Sequence, residues 1–236
     1  MKTAAAAFAL LAATFQPQAF TREERSDLLE FSYAWPAVIG EQPRLQARLE
    51  AEMAEGRAQA LLWAEEDRAS RSGDFPFNGH HHATQWDTAG VTERLLSLTA
   101  STDTYTGGAH GNLSLHALLW DRASDEAVEP AALLGDEAMA ALSERYCAAL
   151  DAERSERRGV PVSRDDFFGD CPPLAEQALA PVDEDGDDRF ERLDVLIPPY
   201  VAGPWVEGPY VIAVPFEPGE LAGLPPEYRA YFEAAD

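Results

Sequence analysis

The 236-residue chain is expected to fold as an α+β domain, with a mostly antiparallel sheet packed against one long helix and one shorter helix. Three observations lead there. Two segments alternate apolar and polar residues with period two. Two others repeat apolar residues at helical spacing. Strands and helices fall in separate runs, which favours antiparallel pairing over a regular strand–helix alternation. The length suits one domain with its own core.

The elements follow in order. Residues 20–43 read as a short lead-in with a strand-like piece, Leu28, Leu29, Phe31, Tyr33 and Trp35, ended by Pro36. Residues 44–69 read as the long helix, because Leu45, Leu49 and Met53 step by four along one face. Gly56 weakens its middle by about 1 kcal/mol relative to alanine. Residues 70–88 are polar and turn-rich, so a loop is expected. In Glu93–Ser101 the residues Leu96, Leu98 and Ala100 share a face; in Asn112–Trp120 Leu113, Leu115, Ala117 and Leu119 do. These two strands form a hairpin through Thr104–Asn112. Asp136 is expected to cap the shorter helix, with Met139, Leu142, Tyr146 and Leu150 facing the core. Arg189–Ile197 and Tyr210–Phe216 read as further strands, and 225–234 as a terminal helix opened by Pro225 and Pro226.

Composition excludes several functions. Forty-two acidic residues against eighteen basic ones give a net charge of −24. Binding to nucleic acid or to anionic lipid needs clustered cations, so both are disfavoured. Lys2 is the sole lysine, which excludes lysine-based covalent catalysis beyond it.

The first nineteen residues read as a signal peptide. Lys2 supplies a small positive region and Ala4–Ala13 an apolar run too short to span a bilayer. Cleavage after Ala19 or near Ala13 is compatible with the pattern, and an alanine-rich helix is the alternative. Residues 20–236 then form the mature domain, without a transmembrane segment and in the periplasm or outside the cell. In that compartment Cys147 and Cys171 are expected to pair, pinning a proline-rich connection to a helix end. Two buried free thiols are the alternative.

Tyr105-Thr106-Gly107-Gly108-Ala109-His110-Gly111-Asn112 resembles the signature of a bacterial cell-envelope domain family. That family occurs in RsiV-type anti-sigma factors, beside the catalytic domain of PdaC-type peptidoglycan deacetylases, and as stand-alone exported proteins. Tyr33–Ile39, Leu133-Leu134-Gly135, Tyr200, Gly208-Pro209-Tyr210 and Val214-Pro215-Phe216 follow the family's order, over about residues 28–232. The chain has no deacetylase domain, sigma-binding segment or membrane helix of its own, so neither activity carries over. The resemblance implies a non-catalytic envelope domain of unknown function, acting as a sensor or binding module. By analogy with RsiV-type proteins, a lysozyme-like protein is a candidate partner, and peptidoglycan is another.

The remaining chemistry is open. Tyr105, Thr106, Gly107, Gly108, His110 and Asn112 are the candidate ligand-binding residues. The same glycines fit a tight turn needing positive φ, and the same histidine fits a ring that braces its own loop. His80, His81 and His82 read as a solvated loop. Adjacent ligands have poor geometry for zinc, although two of them with His110 or His116 would suit it; a small metal-dependent hydrolase using His110 with His80–His82 is the alternative function. Asp183-Glu-Asp-Gly-Asp-Asp188 resembles a calcium loop only loosely, since positions six and twelve hold Asp188 and Asp194. An acidic turn is the simpler reading. No catalytic motif, resident metal or cofactor is expected.

Overall fold

A computed structural model describes residues 18–71 and 76–235. All but the last two residues of the expected signal peptide lie outside that range.

Among the described residues, nine strands form two sheets. The first has six strands in sequence order: β1 (Phe20–Arg25), β2 (Leu29–Trp35), β3 (His80–Val91), β4 (Leu95–Tyr105), β5 (Asn112–Asp121) and β6 (Glu126–Val128). Only β2 and β3 pair in parallel, because the long helix α1 (Pro43–Ser70) carries the chain between them. The second sheet is the antiparallel meander of β7 (Ala178–Val182), β8 (Arg192–Ile197) and β9 (Tyr210–Pro215). Helices α2 (Pro130–Leu134) and α3 (Asp136–Arg158) precede it and α4 (Pro218–Leu221) follows. The α+β class and the long and shorter helices are as expected.

Two cores result. Alternation buries Leu29, Phe31, Tyr33 and Trp35 of β2 on the face covered by α1. Leu45, Leu49 and Met53 of the helix meet them, with Trp86, Leu96, Leu98 and Trp120. The indole N–H of Trp86 donates to the Tyr33 hydroxyl at 2.9 Å, so two buried polar atoms satisfy each other. The other core gathers Leu142, Tyr146 and Leu150 of α3 with Leu193, Val195, Ile212 and Val214. Leu95 and Leu119 reach it from the first sheet. At this junction Gly90 is required: a Cβ there would lie 2.7 Å from the Phe190 ring. The Asp183 N–H donates across to the Ala89 carbonyl at 3.2 Å.

Several expectations need correction. The lead-in is a hairpin, since the charged segment Phe20-Thr-Arg-Glu-Glu-Arg25 forms the edge strand β1; such charge is how an exposed edge avoids further pairing. The second part of the expected loop 70–88, from His80 on, is strand β3, held by β2 and β4. Its polar residues hid it. Gly135, at φ 81°, rather than Asp136, occupies the N-cap of α3. The expected terminal helix is one 3-10 turn, Arg229–Tyr231. Strands β6 and β7 and the short helices α2 and α4 had no counterpart in the sequence reading.

Candidate functional site

The hairpin of β4 and β5 carries the signature at its tip. Gly107 and Gly108 take φ of 92° and 107°, values closed to most side chains. Gly111 is excluded from substitution differently: a Cβ would lie 2.7 Å from the Thr104 carbonyl of the facing strand. The Tyr105 hydroxyl donates to the Gly108 carbonyl at 3.1 Å and closes the loop. The glycines therefore build a tight turn, and Thr106, Gly108, Ala109, His110 and Asn112 stand exposed on it.

One side of the turn rests on the end of α1. A Cβ on Gly107 would meet Arg71 Nη2 at 2.6 Å. Arg71 makes two 2.9 Å hydrogen bonds to Asp67, which also contacts His80 Nε2 at 3.2 Å. The Arg71 guanidinium, opposed by burial and aided by His80, holds the Asp67 carboxyl below its ordinary range. A cleft of about 280 Å³ lies between Arg71, Asn78, Tyr105 and the two glycines.

The other side of the turn reaches the connection between β8 and β9. His110 Nδ1 lies 2.7 Å from the Gly111 carbonyl. A carbonyl only accepts, so Nδ1 donates to it, and in the neutral ring Nε2 then accepts the Tyr200 O–H at 3.1 Å. The imidazole stacks on Trp205 with centroids 4.5 Å apart and planes within 12°. Tyr200 itself sits at φ 71°, a rare conformation for a bulky residue. Its N–H donates to the Gly203 carbonyl at 2.9 Å, which holds the bend. Half of Tyr200 remains exposed, 51%, beside Val201 and Val206. The result is an aromatic ledge joining the two halves of the chain. Trp205 was invisible to the sequence reading, because nothing local links it to a histidine ninety-five positions away.

The histidine triplet is divided by strand alternation. His80 is buried against Asp67. His82 faces α1 and stacks on Phe31 at 5.4 Å. His81 takes the opposite face, 3.5 Å from Asp103. The triplet is therefore not a solvated loop. Among the described residues, three metal-ligating atoms converge only at Asp183, Asp185 and Asp187. There, Asp183 accepts from the Gly186 and Asp188 amides at 2.7 and 3.2 Å, the geometry of an acidic turn. Cys147 and Cys171 are joined in a disulfide.

Residues 22–113 match the family model described as "Deacetylase PdaC", and that match ends one residue beyond the signature. The fold is shared more widely. A DUF3298 family protein from Pseudomonas aeruginosa PAO1 superposes with a TM-score of 0.55 at 16% identity, over 88% of this chain and 92% of that one. A DUF3298 member from Bacteroides fragilis gives 0.55 at 14% identity, over 91% and 95%. No curated protein matches the chain. The resemblance drawn from the signature is thereby borne out.

Proposed function

From a chain that carries a PdaC-type domain over residues 22–113 within a DUF3298-like fold, we propose an exported, non-catalytic recognition domain of the bacterial cell envelope. Its partner is a basic, wall-active protein of the lysozyme kind. The observation that carries this reading is the ledge of Tyr200, Trp205 and His110. An exposed aromatic on a backbone held at positive φ is an anchor made rigid before binding, which reduces the ordering needed on contact. His110 acts there as a brace: both ring nitrogens are engaged and its face is covered by Trp205. That arrangement suits positioning better than proton transfer. The charge of −24 supports a cationic partner by speeding encounter. No helix among the described residues is long and apolar enough to cross a membrane.

Co-sedimentation of the mature domain with isolated peptidoglycan, with and without added lysozyme, tests the proposal. Added lysozyme is expected to raise pelleting above that with the wall alone, and Tyr200→Ala or Trp205→Ala should abolish that increase. Pelleting with the wall alone that is lost in Tyr200→Ala or Trp205→Ala would replace the protein partner at the ledge by a glycan. A domain that stays soluble in both mixtures would end the envelope reading.

A further inference from the structure

We propose that the cleft between α1 and the facing side of the first sheet binds a neutral saccharide. It shares no residue with the Tyr200–Trp205 ledge and does not depend on the partner proposed there.

The cleft encloses about 430 Å³, a size suited to a small ligand. His82 and His116 both line it. His82 pairs with Thr104 of β4 and His116 with Ala100 of the same strand. Four residues along a strand is roughly 13 Å, and the two histidines flank β4 from either side. The cavity is therefore elongated and runs diagonally under the helix.

Its polar groups are neutral donors and acceptors. Thr84 and Thr102 share one hydrogen bond of 3.0 Å, and the Thr84 hydroxyl also lies 3.4 Å from His82 Nε2, a short polar row whose hydroxyl lone pairs can accept from a ligand. The Tyr33 hydroxyl accepts from Trp86, so its own hydrogen is also available. Burial, the main influence on both imidazoles, holds them below their ordinary value and so favours the uncharged ring at neutral pH. Arg48 and Glu52 are paired with each other at the rim, at 2.9 Å. Leu118, Ala117 and the edge of Trp86 add apolar surface between the polar groups.

This lining rejects the other ligand classes. A polyanion meets a chain of charge −24. A cation finds a single carboxylate, already paired. An extended peptide needs an open strand edge; β5 has one at Asn112–Leu118, since β6 pairs only from Leu119 onward, but the cleft's threonines and His82 lie on β3 and β4, which are paired on both sides there. A ligand rich in hydroxyl and amide groups, with apolar C–H faces, remains.

Gly56 supplies the test. It lines the cleft from the helix side, and a Cβ there would stand 3.5 Å from His82, in ordinary contact. Gly56→Ala should fold and keep the cleft open. Gly56→Met should fold, since both residues suit a helix, and fill it. The probe is the neutral trimer of N-acetylglucosamine, with its de-acetylated, cationic form as comparison, followed by calorimetry and tryptophan fluorescence. We expect saturable binding of the neutral trimer, retained in Gly56→Ala and Trp205→Ala and lost in Gly56→Met. His116→Ala should weaken it about tenfold, the effect of one hydrogen-bonding group removed. Absence of saturable binding at millimolar trimer, binding unchanged by Gly56→Met, equal binding of the cationic form, or loss in Trp205→Ala would each overturn the proposal.

Discussion

The two halves of the molecule are stabilised by different means. The first packs one long helix on a six-stranded sheet, and its core holds five aromatic rings, Phe31, Tyr33, Trp35, Trp86 and Trp120. It needs no covalent brace. The second half puts α3 on three short strands and adds the Cys147–Cys171 bridge. It also encloses Arg154, fully buried, which reaches Asp151 at 3.3 Å and the Asp170 carbonyl at 3.2 Å while Nε and Nη2 find no partner among the described residues. An incompletely paired buried cation destabilises. The contrast teaches where the chain invests: a rigid first half carries the signature hairpin, and a cross-linked second half carries the ledge that meets it.

Four experiments bear on this contrast. The largest effect is expected from Phe31→Ala, which removes a ring 1% exposed from the first core. It should cost about 3–5 kcal/mol in denaturant unfolding, enough to unfold much of the protein. A loss below about 1 kcal/mol would show that the first core is not the main support.

Replacing both cysteines by serine should cost about 3 kcal/mol, the loop-closure effect of a bridge 24 residues long. Hydrogen exchange should rise in α3 and residues 159–173 and stay unchanged in α1. Equal loosening of α1 would show that the halves unfold as one. Native oxidised protein should show no titratable thiol before denaturation and reduction.

Asp121 sits where the halves meet, 1% exposed, bound by Arg94 at 2.9 Å, by Tyr228 at 2.8 Å and by the Ala123 and Ser124 amides. Burial pushes its carboxyl up, but these donors together hold it below the ordinary 3.8. The sign follows: its contribution is present at neutral pH and is lost as the pH falls below that ordinary value through the lower folded one. Asp121→Asn should cost about 2 kcal/mol at pH 7 and flatten the acid limb of the stability curve. An unchanged acid limb would assign that pH dependence to other groups.

The smallest effect is expected from Gly56→Ala. The added methyl makes only ordinary contact with His82, so helix propensity should dominate and stabilise by up to about 1 kcal/mol. A destabilised variant would show that the helix sits closer to β3 than the geometry allows.

Much of the fold was legible in the chain. Leu45, Leu49 and Met53 announced α1, and the alternations around Leu96–Ala100 and Leu113–Leu119 announced β4 and β5, because each pattern is a local record of which face is buried. The glycines of the signature announced their turn for the same local reason. Strand β3 was missed because His80-His-His-Ala-Thr-Gln carries polar groups on both faces. Thr84 is buried against Thr102, and His80 against Asp67, pairings that no local pattern records. The expected terminal helix failed because tertiary contacts claimed its backbone: the Tyr231 carbonyl accepts from Phe190 and the Glu233 N–H donates to Phe190.

By itself, then, the sequence determined the α+β class, the acidic surface, the two principal helices and the hairpin with its glycine turn, since charge, periodicity and backbone freedom are properties of short segments. Only the tertiary structure decided what the hairpin touches. His110 meets Tyr200 and Trp205, ninety and ninety-five residues later, and His82 shares a cleft with His116 across β4. Such contacts are set by how two sheets and a helix pack, and packing joins residues whose distance along the chain carries no information about their distance in space.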